Sequence, residues 1–129
     1  MDELVESAQN ARENAYVPYS NYPVGAAIRS TDQRIWTGCN IEISNFSNTL
    51  HAEEVALSRA LVEGARRFTH LAVSSKNEDG ITPCGMCRQT LAEFCRDDLI
   101  VICDEGDNNS TYTLGELLPE SMGPDTLDP

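Results

Sequence analysis

Near the start of the chain Leu4, Val5, Ala8, Ala11 and Ala15 recur three and four positions apart, and Pro18 ends the run, which predicts an amphipathic helix. Residues 22–29 and 34–38 have strand composition. The four residues between them, Ser30-Thr31-Asp32-Gln33, have turn composition, so the pair reads as a β-hairpin. From residue 50 to 64 the apolar positions Ala52, Val55, Ala56, Ala60 and Leu61 fall on one helical face, with Gly64 placed as a C-terminal stop. Residues 70–74 form a short apolar run before a polar loop at 76–80, and residues 84–94 return to helical spacing. Residues 99–103 read as a strand, 104–110 as a polar turn, 111–113 as a further strand and 114–118 as a short helix before a polar tail rich in proline and aspartate. Alternation of helices and strands implies an α/β protein with a mixed sheet covered by helices, although strand order does not follow from the pattern.

At 129 residues and 40% apolar content the chain fills one core and not two, so residues 1–129 are expected to form a single domain. No segment approaches the roughly 18 to 20 apolar residues of a membrane helix, and the opening Met1-Asp2-Glu3-Leu4 has neither a basic n-region nor an apolar h-region. The expectation is a soluble, cytoplasmic protein without a membrane partner. Five cysteines, an odd number, argue for reduced thiols or metal thiolates over a disulfide framework. The formal charge of −12 repels phosphate backbones, which disfavours a nucleic-acid partner. Lys76 is the single lysine among nine basic residues. An acidic, lysine-poor surface suits a halophilic protein kept soluble in concentrated salt, the plainer reading being an acidic mesophilic one.

Two short stretches carry chemistry: His51-Ala52-Glu53 and Pro83-Cys84-Gly85-Met86-Cys87, each at the start of a predicted helix. In the first turn of a helix, unpaired amides and the helix dipole stabilise thiolates, and a Cys-x-x-Cys pair places two sulfurs together there. His51 supplies a third donor, and three protein ligands leave the fourth tetrahedral position of a Zn2+ ion open for water. Two thiolates and a neutral imidazole leave the ion electrophilic enough to generate hydroxide near neutral pH. Glu53, two residues from His51, is then within reach of that water as the proton shuttle. Read singly, each feature has a plainer meaning. Cys-x-x-Cys also occurs as a redox pair or as half of a structural zinc site, and His70, the other histidine, reads as structural. Together and in this order they match the His-x-Glu and Pro-Cys-x-x-Cys signature of zinc deaminases.

Beyond the metal motif, the chain resembles the cytidine deaminase family in its small form, from about Ala8 to Pro119. The resemblance rests on Ala15-Tyr16-Val17-Pro18-Tyr19-Ser20, Val24-Gly25-Ala26-Ala27, Gly38-Cys39-Asn40-Ile41-Glu42, the two metal stretches with Arg88-Gln89, and Glu116-Leu117-Leu118-Pro119. It implies a three-layer α/β/α fold with a mixed five-stranded sheet, one zinc per chain and a homotetramer with active sites near subunit interfaces. It implies hydrolytic deamination of cytidine and 2'-deoxycytidine in pyrimidine salvage, with Glu53 catalytic and Asn40 and Glu42 on the sugar hydroxyls. The Tyr22 ring and the Ala52 amide are then expected at the base. Two departures stand out. Many small-form relatives have cysteine in place of His51 and an arginine after the glutamate, where this chain has Glu54; removing a thiolate also removes the charge that the arginine would offset. Met122 stands where relatives carry an aromatic that reaches a neighbouring subunit.

The nearest alternative is a deaminase of a modified cytosine nucleoside such as blasticidin S, and from other classes a non-catalytic zinc module or a dithiol redox protein. Halophilic origin predicts a thermal unfolding temperature that rises between low and molar salt; an unchanged or falling temperature would contradict it.

Overall fold

A computed structural model describes residues 2–76 and 80–127; within the sequence-predicted loop at 76–80, positions 77–79 lie outside the described residues. The elements are α1 (Asp2–Ala11) with a 3-10 turn (Arg12–Asn14), β1 (Val24–Ser30), β2 (Ile35–Cys39), α2 (Ala52–Val62), β3 (Phe68–Ser75), α3 (Gly85–Phe94), β4 (Ile100–Asp104), β5 (Asn109–Thr113) and α4 (Leu114–Leu117). One five-stranded sheet runs in the order β2-β1-β3-β4-β5. β1 pairs antiparallel with both β2 and β3, β3 pairs parallel with β4, and β4 antiparallel with β5. The hairpin and the mixed sheet agree with the sequence reading.

Alternation along the strands separates two apolar faces. Ala26 and Ile28 of β1, Leu71 and Val73 of β3, and Val101 and Cys103 of β4 join Ala56, Leu57 and Ala60 of α2 and Leu91 of α3 in one core. The intervening Ala27, Ala72 and Ile102 pack against Leu4, Val5 and Ala8 of α1 in a second. The layers are therefore α1, the sheet, then α2 with α3. Because β1, β3 and β4 are covered on both faces, they read as near-continuous apolar runs.

Element ends depart from the sequence expectation where tertiary bonds compete with periodicity. Ala15 keeps helical spacing, but the helix stops at Ala11: Tyr16 N–H donates to the Asn40 carbonyl at 3.0 Å, and the Tyr16 carbonyl accepts from Glu42 N–H at 2.8 Å. That bridge pulls the segment into extended backbone beside residues 40–42. Likewise β1 starts at Val24 and not at residue 22, because Pro23 has no N–H to donate and the Asn40 side chain occupies the adjoining groups, accepting from Val24 N–H and donating to the Tyr22 carbonyl. β3 begins at Phe68, two residues earlier than expected, so His70 lies within the strand.

Gly38 sets how closely α2 lies on β2. A Cβ at that position would stand 2.5 Å from both the Ala52 carbonyl oxygen and the Ala56 nitrogen. Neither backbone atom can yield without moving the helix start. Gly38→Ala is expected to lower stability by about 1–3 kcal/mol, read as a lower urea midpoint. An unchanged midpoint would mean that the helix and strand have slack between them.

Candidate active site

The starts of α2 and α3 meet beside the ends of β1 and β3, and each is fixed by a different device. His51 is the residue before the first turn of α2, with extended backbone (φ −88°, ψ 150°). Its N–H donates to the Glu54 carboxylate at 2.7 Å, and its carbonyl accepts from Val55 N–H at 3.0 Å. The Glu54 carboxylate thus closes the helix N-terminus by accepting from the residue that precedes it. Cys84 holds the equivalent place before α3, preceded by the buried Pro83. Arg88, one turn on, donates through its guanidinium to the Pro83 carbonyl (2.7 Å), the Leu117 carbonyl (2.8 Å) and the Thr82 hydroxyl (3.1 Å). One planar fork therefore ties the approach to Cys84 to α4.

These two helix starts bring His51, Cys84 and Cys87 together, with all three ligand atoms within 4.8 Å of one another. His51 Nδ1 is 3.4 Å from Cys84 Sγ. Donors bound to one tetrahedral zinc at about 2.0–2.3 Å stand about 3.3–3.8 Å apart, so that spacing is a ligand spacing. Among the described residues no further His, Cys, Asp or Glu joins the group. The donor set itself asks for a cation. Cys87 is fully buried, and burial, with the Glu53 carboxylate and Cys84 adding to it, drives its thiol far above the ordinary range. A thiolate there is tenable only beside a metal ion, and two sulfurs with one imidazole are a set that suits zinc.

Glu53 is only 5% exposed although it carries a carboxylate. Burial pushes its carboxyl up; its own backbone N–H, His51 and the Cys87 thiol act in the opposite direction. It lines a cleft of about 330 Å³ together with Tyr22, Asn40, Glu42, His51, Ala52 and Cys84. That volume is at the small end of ligand sites, enough for a molecule of nucleoside size. Every site residue expected from the sequence except Cys87 lines this one cleft, and Cys87 lies beneath it in the metal group.

The polar groups on the far wall are partly engaged. Asn40 uses its carbonyl oxygen on Val24 N–H and its amide on the Tyr22 carbonyl, both at 2.9 Å. Glu42 accepts from the N–H groups of Tyr19 (2.9 Å) and Ser20 (3.0 Å) and from the Ser20 hydroxyl. The Ser20 hydroxyl bond, more than the two backbone donors, holds the Glu42 carboxyl below its usual range. Ala52, as the first residue of α2, has an N–H with no intrahelical acceptor.

Sequence reasoning assigned no role to Ser20, Thr49, Thr82 or Arg88. Ser20 and Arg88 fall within stretches that carry the resemblance, which gives them no role of their own, and Thr49 and Thr82 sit in irregular segments without periodicity. Arg88 sits on an apolar-periodic helix where an arginine reads as surface. Cys39, Cys95 and Cys103 take no part in the metal group, and burial pushes all three thiols up, Cys95 to about 12 and Cys103 to about 11. His70 bonds the neighbouring Thr69 hydroxyl at 2.8 Å and takes no part in the metal group.

Comparison with known proteins agrees with this geometry. Residues 1–103 match the family described as "Cytidine and deoxycytidylate deaminase zinc-binding region". A cytidine deaminase of Sporosarcina psychrophila is 43% identical over 98% of this chain and 94% of its own length. A crystal structure of cytidine deaminase from Burkholderia pseudomallei superposes with a TM-score of 0.90 at 37% identity, covering 94% of this chain and 98% of that one. The enzyme from Mycobacterium tuberculosis follows at 0.84 and 36%, over 95% and 96% of the two chains. With a zinc-type donor set, a buried carboxylate beside it and the matching fold, the chain belongs to the cytidine and deoxycytidylate deaminase family.

Proposed function

We propose that this chain, acting as one domain over residues 1–129, hydrolyses cytidine and 2'-deoxycytidine to uridine and 2'-deoxyuridine with release of ammonia, a step of pyrimidine salvage. The observation that carries the reading is the buried Glu53 carboxylate facing a nucleoside-sized cleft beside three convergent metal ligands. The names of the relatives support it.

Zinc held by His51, Cys84 and Cys87 supplies Lewis acidity and a source of nucleophile from water at neutral pH. The Glu53 carboxylate takes a proton from the attacking water and passes it to the ring nitrogen beside C4. The water oxygen bonds to C4; Glu53 then takes the proton of the resulting C4 hydroxyl and delivers it to the exocyclic nitrogen, the C4–N bond breaks, ammonia leaves, and the C4 carbonyl forms. Burial suits Glu53 to this work, because it raises the carboxyl's proton affinity above that of an exposed one, which eases acceptance of a proton from water.

The remaining hydrogen-bonding capacity of the far wall fits a sugar. After its bonds to Val24 and Tyr22, Asn40 keeps one N–H and one acceptor position. Glu42, after three acceptances, keeps one lone-pair site for a ribose hydroxyl. Ala52 and Tyr22 line the same cleft, and an N–H and an aromatic ring suit the base. A plain ribose or deoxyribose meets these groups better than a modified nucleoside. A homotetramer is supported by the apolar surface at the cleft mouth, where Tyr19 and Phe46 meet edge to face at 5.4 Å with Phe46 69% exposed. Five unpaired thiols suit a reducing cytoplasm, and the −12 charge suits high salt.

Glu53→Gln is expected to lower kcat by about 10²- to 10⁴-fold with one zinc per chain retained; substantial residual turnover would remove Glu53 from the mechanism. Glu42→Gln, which loses the charge on a bond to a hydroxyl, is expected to raise KM by about 10-fold or more, and an unchanged KM would take Glu42 out of the sugar site. Cys84→Ser is expected to lower zinc content and activity in parallel. A folded, zinc-loaded protein inert toward cytidine and deoxycytidine, followed by ultraviolet absorbance, would sink the proposal as a whole.

A further inference from the structure

The ring of Tyr22 lines the cleft, and the proposed chemistry makes no use of its hydroxyl. That hydroxyl donates to Ser75 Oγ at 3.2 Å, at the last residue of β3. Tyr22 is half-buried and precedes the first strand, and its neighbour Asn21 has a left-handed φ of 55°. Tyr22 packs against the edge of the main core, and hydrogen bonds hold both its ends: Asn40 donates to its carbonyl at 2.9 Å, and Ser75 accepts from its hydroxyl.

Ser75 is itself fixed from behind. The Arg12 guanidinium donates both to the Ser75 carbonyl and, at 3.0 Å, to the Ser74 hydroxyl. The Ser74 hydroxyl passes the connection on, donating to Asp104 Oδ2 at 2.7 Å, where Gln9 also donates at 2.9 Å. Asp104 Oδ1 accepts from Gly106 N–H at 3.1 Å. Ser74 and Asp104 are 0% and 5% exposed, so this is a buried network in which every carboxylate oxygen has a donor.

What delivers Arg12 to this place is Gly25, the register partner of Ser74 in the β1–β3 ladder. A Cβ on Gly25 would lie 2.0 Å from the Ala8 carbonyl oxygen and 2.6 Å from the Arg12 nitrogen. The end of α1 therefore rests directly on the backbone of β1, and Arg12 reaches across to β3. The path runs from α1 over the sheet to a cleft-lining ring without touching the metal group.

We propose that Ser75 and Arg12 are positioning residues for the nucleoside site: Ser75 anchors the Tyr22 hydroxyl, and Arg12 anchors Ser75, so that the ring stands in its binding orientation before substrate arrives. This rests on the function proposed above. A pre-set ring loses less freedom when a base packs on it, so the network acts on substrate affinity and not on the proton transfers.

The test is a double-mutant cycle on the zinc-loaded enzyme with Ser75→Ala, Tyr22→Phe and the pair. Cytidine affinity is measured by calorimetry in a Glu53→Gln background, in which turnover is slowed, and KM and kcat are measured with Glu53 intact. Each single change is expected to raise Kd and KM about two- to tenfold, the worth of one neutral hydrogen bond, and the pair to raise them no further than the larger single change. For Ser75→Ala, kcat stays within about twofold. Arg12→Met, which leaves the cleft lining intact, is expected to raise KM in the same direction. Additive effects, or a lowered melting temperature with KM and Kd unchanged, would make the network structural only and overturn the inference. A wild-type enzyme that neither binds nor deaminates cytidine would overturn the function and this inference together.

Discussion

The convergence of two helix N-termini is the constraint on which the rest of the molecule depends. His51 and Cys84 each sit just ahead of a helix, 33 positions apart, and their donor atoms come within 3.4 Å. Such closeness requires α2 to lie hard against β2, which the missing side chain at Gly38 allows. It also requires the segment before α3 to hold its course, which Arg88 secures through Thr82, Pro83 and Leu117. Sheet, helices and brace thus serve a single spacing, and hydrophobic burial on both faces of β1, β3 and β4 supplies the rigidity that maintains it.

Burial and charge work against each other at this spot, and the opposition is useful. A dry pocket pushes the Cys87 thiol and the Glu53 carboxyl toward their neutral forms. A divalent cation reverses the preference for the sulfurs, which bind it directly. Glu53 is not among the ligands, so its carboxyl is left free beside them. The same protein environment therefore suits one group to a metal ion and its neighbour to the proton transfers proposed above. Glu54 adds a negative charge nearby and uses it on the His51 N–H, an arrangement compatible with a histidine ligand in place of a third thiolate.

Much of the architecture was legible in the pattern of residues because it follows from periodicity: α2 and α3 from apolar spacing, the hairpin from its turn composition, the metal trio from motif order. What was not legible depends on contacts between distant segments. Ala15 keeps helical spacing but is drawn out of the helix by the bridge from Tyr16 to residues 40–42. Asn40 and Glu42 both line the cleft, but from beyond the last residue of β2, where bonds to Tyr22, Val24, Tyr19 and Ser20 that no local pattern announces hold them. Ser75 and Arg12 carried no signal, since a serine at a strand end and an arginine at a helix end are common for ordinary reasons. Strand order was likewise beyond reach, because pairing is decided by long-range burial and not by local preference.

X-ray absorption at the zinc edge on the purified enzyme addresses the three-ligand centre directly. Two sulfur scatterers at about 2.3 Å with two lighter nitrogen or oxygen scatterers at about 2.0 Å, one of them exchangeable for added ligand, is the result that a His51, Cys84, Cys87 site with an open position requires. A shell of four sulfurs, or a fourth protein donor that no added ligand displaces, would make the metal a structural staple and contradict the catalytic assignment.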